Sequence, residues 1–439
     1  MELKKLLYRI KRSIWIYPVV YTIFAVIMAV AVIIIDARIF FNLSPYIPDL
    51  FTTSTDLAKT VLTIIASAFI TIMTFTFSTT MLVLTMYSSQ FSPRVVENFL
   101  TQKSTMKTFG IFVSGFMYSI ISLLFIRDVL SDYRILAGTF GVFYIVVGLI
   151  NFILYINNVG KYIQASNIID RLYDKARSDI AGYRKEVEAY ETYDREEIDN
   201  IEVKIRIKSP SSGYIQEVDY NRLFEIAKEK KILLIFDKLP GQFVTDEDTV
   251  AKIYYDRNSS LDDNLKDQIG EALDIGERRT EIQDFSFSIQ KLVEVALKAL
   301  SPGINDPNTA IQCIRDLGLL LRELASLKVG YILVRDEEEQ NLSALYRESY
   351  DLDMILSDTF NQIIHYGQGD IYVMLAVIKA HRHILEHADS RSRKFIMEHV
   401  GYLRNILMKK AYESLDQKMI DKELDEIRLR YKDEWFTAL

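Results

Sequence analysis

Thr60–Ser89 reads TVLTIIASAFITIMTFTFSTTMLVLTMYSS. No side chain in it is charged. The apolar run from Thr60 to Tyr87 would rise roughly 42 Å as an α-helix at about 1.5 Å per residue. A bilayer's hydrocarbon core is about 30 Å thick, so this run is long enough to span it and has to tilt or project. At helical spacing Thr60, Thr63, Ser67, Thr71, Thr74, Ser78, Met81, Thr85 and Ser89 fall within an arc of about 80°. Eight of these nine carry a hydroxyl. The opposite face is Ile, Phe, Val and Leu with Thr76, Thr79 and Thr80. Continuing the phase outward puts Asp56 on the same stripe. Two readings stay open. The hydroxyls can pack against neighbouring helices, since Ser and Thr bond to the carbonyl one turn back and allow close approach. Or the stripe faces water and lines a path across the membrane.

Three further uncharged stretches flank this one: Trp15–Ile35, Thr108–Ile126 and Ile135–Ile156. Four transmembrane helices therefore fill the first third of the chain. Residues 1–159 hold twelve Lys+Arg and seven Asp+Glu, a balance of +5. The rest holds 52 − 12 = 40 basic and 59 − 7 = 52 acidic residues, a balance of −12. This contrast is that of a membrane domain joined to a soluble one. An acidic soluble part disfavours nucleic acid, whose phosphates need a basic face. The N-terminal flank (Lys4, Lys5, Arg9, Lys11, Arg12) and the link with Arg94, Lys103 and Lys107 carry eight basic residues. The other two loops carry four, Arg38, Lys59, Arg127 and Arg134. Short basic loops stay inside, so both termini are expected in the cytoplasm. The lone cysteine, Cys313, permits no internal disulfide or thiolate zinc site and reads as a small buried residue.

Beyond the fourth span the reading gives three segments. Residues 159–200 form a helical stalk. Residues 201–258 form a small β-rich module, with strands near 202–208, 214–218 and 232–236 and a further one that begins with the run 240–244 and ends near 255. Residues 259–439 are mainly helical, and residues 1–158 are the transmembrane domain. The fold class is thus an α-helical membrane protein with a C-terminal cytoplasmic α+β domain, containing a β-sandwich-like module and a helical bundle. The layout P-x-S-G-Y-I … P-G-Q-F-V is similar to the sandwich of lipoyl and biotinyl carriers, but the lysine that they modify is missing.

Between the helices expected at 287–300 and 308–324 lies Ser301, Pro302, Gly303, Ile304, Asn305, Asp306 and Pro307. Pro302 and Gly303 stop the first helix, Asp306 can cap the second and Pro307 suits its first position. Asn305 and Asp306 could also offer oxygen ligands to a cation. Arg278, Arg279 and Asp284 are read as an ion-pair network with Asp306.

SSQFSPR at 88–94, SGYIQEVD at 212–219 and GERRTEIQDFSFSIQKLVEVALKALSPGINDPNTAIQCI at 276–314 resemble a bacterial membrane family, domain of unknown function 2254. The resemblance covers nearly the whole chain, and it implies a bacterial membrane protein of this architecture without implying an activity. In the family pattern the end of the fourth helix often carries paired histidines. Here Asn157 and Asn158 stand there.

No P-loop, dinucleotide fingerprint, nucleophile elbow or HExxH occurs, so an enzyme is not expected and no cofactor or bound metal is called for. His383 and His387, with His381 nearby, read as a solvated helix face. Asn151 at membrane depth reads as a lock between helices. The expected function is a homo-oligomeric ion channel in the bacterial inner membrane, conducting an inorganic cation, with the hydroxyl stripe lining it and Asp49 and Asp56 at the outer mouth. The cytoplasmic domain would gate or assemble it. The alternatives are a membrane-anchored sensor or scaffold and a small secondary transporter.

Overall fold

The computed structural model describes residues 16–37, 48, 51–90, 103–126, 134–162, 165–257, 259–261, 264–335, 343–432 and 435. The chain divides into two compact units, Met1–Asn167 and Ile168–Leu439.

The first unit contains four helices long and apolar enough to cross a membrane. They are α1 (Ile16–Asp36), α2 (Thr55–Gln90), α3 (Lys103–Phe125) and α4 (Ala137–Tyr162). α2 starts at Thr55 rather than Thr60 and runs 36 residues. Strands β1 (Thr53–Ser54) and β2 (Arg134–Ile135) pair antiparallel and tie the start of α2 to the start of α4. α3 packs against all three other helices. Small residues permit this. The Phe69 ring of α2 sits where a Cβ on Gly115 of α3 or on Gly148 of α4 would have to be. Leu62 lies against Gly141 in the same way. Polar groups behind α2 are satisfied locally. Tyr155 donates to the Thr76 carbonyl at 3.1 Å and lies 2.6 Å from the Thr80 hydroxyl. Asp36 accepts from the backbone N–H of Leu136 at 2.8 Å and Ala137 at 3.0 Å, which caps α4. Asn151 does not lock a helix pair through its amide nitrogen, which donates to Val147 one turn back at 2.9 Å. In apolar surroundings the nearest carbonyl is the one on its own helix.

The second unit begins within α5 (Ala165–Val187). A six-stranded sheet has the order β3-β10-β11-β6-β8-β4, and a three-stranded sheet the order β7-β5-β9. The strands are β3 (Glu191–Tyr193), β4 (Ile205–Lys208), β5 (Gly213–Val218), β6 (Leu233–Phe236), β7 (Phe243–Val244), β8 (Thr249–Tyr254), β9 (Leu273–Gly276), β10 (Tyr331–Arg335) and β11 (Ala344–Glu348). Strands of 201–258 therefore enter two sheets completed from outside that range, rather than closing on themselves as a small β-sandwich. The reason is local. Leu233–Phe236 is apolar without alternation, the pattern of a strand covered on both faces. β6 takes β8 on one edge and the parallel β11 on the other. Helices α6 (Arg195–Asp199), α7 (Tyr220–Lys230), α8 (Leu265–Glu271), α9 (Phe285–Ala299), α10 (Pro307–Ala325), α11 (Leu352–Gly367), α12 (Ile371–Leu385), α13 (Ser390–Met408) and α14 (Ser414–Arg430) complete the unit. The charged run after Asp416 is not a loose tail: Ile420, Leu424 and Ile427 of α14 are buried. At Gly318 of α10 an added Cβ would lie 2.8 Å from the Ala380 Cβ of α12, so a glycine sets that close crossing.

Candidate functional site

Thr60, Thr63, Ser67, Thr71, Thr74, Ser78 and Thr85 of α2 are all exposed in the protomer, as is Asp56. Met81 is half-buried. The side chain of Ser89 and the whole of Asp49 lie outside the described residues. The buried arc is the opposite one, with Ala58, Leu62, Ile65, Phe69, Thr76, Thr80 and Val83 at 5% exposure or less. The stripe therefore does not pack on the other helices of its own protomer. Large exposed apolar side chains flank it, Leu57, Ile64, Phe75 and Leu82 to one side and Ile70 and Phe77 to the other. Its hydroxyl protons are committed: Thr60, Thr63, Ser67, Thr71, Thr74 and Thr85 donate to carbonyls one turn back at 2.8–3.0 Å. Each oxygen keeps acceptor capacity on the exposed side.

In the joint at 301–307, Pro302, Gly303, Ile304 and Asn305 are exposed and Asn305 has φ 51°, the left-handed region. The Asp306 carboxylate accepts from Thr309 N at 3.1 Å and from Thr309 Oγ1 at 2.6 Å. Arg279 instead pairs with Asp284 through two contacts, 2.6 and 3.2 Å, and donates to Ser286 at 2.7 Å. Asp284 also caps α9 by accepting from Phe287 N. Gly241 has φ 89°, and a Cβ there would overlap the Asp284 carboxylate.

That Arg–Asp pair lies on the wall of a cavity of about 640 Å³ in the second unit. The rest of the wall comes from further residues of 281–290, Tyr220 of α7, α5 from Ser178 to Glu186, the loop 238–243, the segment 347–350 and the first half of α11. Arg347 is buried, lies with its guanidinium 4.3 Å from the Tyr220 ring centroid and donates to Glu186 at 2.7 Å. Burial drives the Tyr183 phenol well above the usual tyrosine range and the Tyr220 phenol up to about 12, although Arg347 pulls both down. Sequence reasoning missed Tyr183, Lys238, Arg347 and Asp358. The only visible signal was PGQFV, read as part of a sandwich-like strand layout, and the run at 276–290, read as part of a family motif.

His381 is buried rather than solvated. Its ring lies edge to edge and nearly coplanar with that of His399, centroids 5.0 Å apart, with His381 Nε2 2.9 Å from His399 Nδ1. His381 Nδ1 lies 2.8 Å from the Val377 carbonyl, and His399 Nε2 lies 2.8 Å from the Oδ1 position of the Asn361 amide. Two neutral rings carry two protons, too few for a chain with a carbonyl oxygen at each end. The Asn361 amide therefore presents its nitrogen to His399, an exchange of N and O that leaves its shape unchanged. Burial pushes His381 down to about 4, and burial with the neighbouring ring pushes His399 down to about 3. His383 sits 3.4 Å from Glu386 and His387 is exposed. Among the described residues no group of three or more His, Cys, Asp or Glu converges as metal ligands do.

The family described as predicted membrane protein (DUF2254) matches residues 11–383. Uncharacterized proteins of Mycobacterium bovis and Mycobacterium tuberculosis are each 26% identical over 354 residues, covering 78% of this chain. The chain spans 66% of the length of these curated relatives. No solved structure matches it.

Proposed function

The chain belongs to the DUF2254 family of predicted membrane proteins, and on that premise we propose that it is a homo-oligomeric, cation-conducting channel rather than an enzyme. In this reading α1–α4 cross the bacterial inner membrane, both termini and the second unit are cytoplasmic, and copies of α2 surround the conducting path. One observation carries it. The hydroxyl stripe of α2 sits in the middle of the face that its own protomer leaves open, with large apolar side chains on both flanks. In a symmetric ring the flanks bury against neighbouring copies and the stripe turns to the axis. Hydroxyl oxygens there supply acceptors to a hydrated cation, and Asp56 adds negative charge at the outer end. The eight-to-four bias of basic residues supports the orientation.

Single cysteines on a Cys313→Ser background test this. Cysteines at Thr63, Ser67, Thr71, Thr74 and Ser78 should react with a small charged thiol reagent and change the current in planar bilayers. Cysteines at Ile65 and Phe69, buried behind the helix, and at Ile64 and Phe75, on the flanks, should be protected. Ser67→Leu should reduce conductance by narrowing and drying the path. Asp56→Asn should lower cation selectivity most at low salt, where screening is weak. Protection along the whole stripe, with silent bilayers from a folded oligomer, would refute the channel and leave a membrane-anchored sensor or scaffold.

A further inference from the structure

We propose that the cavity of the second unit binds a nucleotide bearing one phosphate group. Its volume of about 640 Å³ falls in the range of small-molecule sites. Five acidic side chains stand on its wall, and four are committed. Asp179 holds Lys175 and Ser288, Glu186 holds Arg347, Glu281 holds Lys291 and Asp284 holds Arg279. Asp358 makes no hydrogen bond or ion pair among the described residues. On the cationic side Lys238 makes none either. Arg347, only 4% exposed, is committed to Glu186 and to the Tyr220 phenol, and its Nε is closed off from the cavity by protein. The Gln290 amide is also uncommitted among the described residues. Lys238 and Gln290 are half-buried and Asp358 is exposed on the cavity wall, and none of the three bonds to another described residue, so this wall is better matched by a polar occupant than by an apolar one.

The mouth differs from the wall. Phe243, Ile282 and Met354 line the same cavity and remain 59%, 37% and 37% exposed. An exposed aromatic ring on a cavity that also exposes two aliphatic side chains suits one face of a flat heteroaromatic ring. Lys238 suits a phosphate, for which charge-assisted N–H donors are the natural partners. Asp358 and Gln290 can take the donors of a base edge or a ribose. Inorganic phosphate would leave the apolar rim unused, and a neutral nucleoside would leave Lys238 unused. A nucleoside monophosphate uses both. The wall includes α5, the helix that follows α4 in the chain, so the proposal supplies a regulatory input that goes beyond the channel reading and is measurable without any current.

The experiment is calorimetric titration of the full chain in detergent with AMP, GMP, CMP and UMP, their nucleosides, and inorganic phosphate. At least one monophosphate should bind about tenfold or more tighter than its own nucleoside, the factor expected of a charge-assisted contact. Lys238→Ala should remove that advantage and leave nucleoside binding unchanged. Phe243→Ala should weaken monophosphate and nucleoside by a similar factor. Both side chains reach solvent, and an unchanged melting temperature without ligand verifies that the variants fold. Absence of binding by all four monophosphates at millimolar concentration overturns the proposal. So does inorganic phosphate binding as tightly as a monophosphate, or affinity untouched by both substitutions.

Discussion

His381 and His399 are neutral because burial makes their charged forms expensive, and this fixes a direction for the response to acid. Their folded pKa values, about 4 and about 3, lie below the 6.5 of a free imidazole. Above pH 6.5 folded and unfolded chains bind the same protons at these rings. As pH falls below 6.5 the unfolded chain takes up protons first, so stability is lost progressively down to the folded values. At pH 5 the loss is about 2 kcal/mol for each ring by linkage. Melting curves from pH 7.5 to 5 should show it, and a His381→Phe, His399→Gln variant should lose much of the slope. Gly241→Ala should cost about 3 kcal/mol, because a Cβ there is both strained and in collision with a buried ion pair. Gly303→Ala, where a Cβ meets nothing within 4 Å, is the control and should be nearly silent in the same melts. Neither residue announced its role. The partner of Gly241 lies 43 positions away in Asp284, and that of His381 on another helix, and no local spacing encodes such distances.

Helices of the second unit share a device. α7, α9, α10, α11, α12 and α13 each begin after an aspartate whose carboxylate accepts from the first-turn N–H groups. Removing one should cost about 1 kcal/mol, with asparagine keeping most of it. Asp306→Ala and Asp306→Asn compared by thermal melts test this at the joint that the sequence made conspicuous. If the asparagine variant melts normally yet abolishes current, capping is not what that carboxylate is for. Elements were legible unequally. Four long uncharged runs could be read directly because hydrophobic length is a one-dimensional property. The hydroxyl periodicity of α2 was legible too, but not the direction in which it faces, which depends on what covers the other side. Strands in 201–258 could be read from alternation at 202–208 and from an apolar run at 232–236, whereas their pairing could not. β6 takes as its parallel partner β11, more than a hundred residues later, and β11 itself gave no signal.

For the whole molecule, cysteines at Thr53 and Glu225 on the Cys313→Ser background report orientation. An impermeant thiol reagent should label the first in intact cells and the second only after lysis. Labelling at 225 in intact cells would invert the topology. The glycines behind α2 have a larger consequence. The Phe69 ring occupies the space that Gly115 and Gly148 leave open, one on each neighbouring helix. A ring held between two notches acts as a pawl: it sets the bearing of the helix about its own axis, and the hydroxyls point where the ring does not. One residue along an α-helix turns the bearing by about 100°, so even a slip of a fraction of a residue swings the stripe toward a flank. In a closed ring of identical copies that error is repeated by every subunit, and the symmetry multiplies it instead of averaging it away. Gly115→Ala or Gly148→Ala, at positions that touch no solute, would then misaim every copy at once.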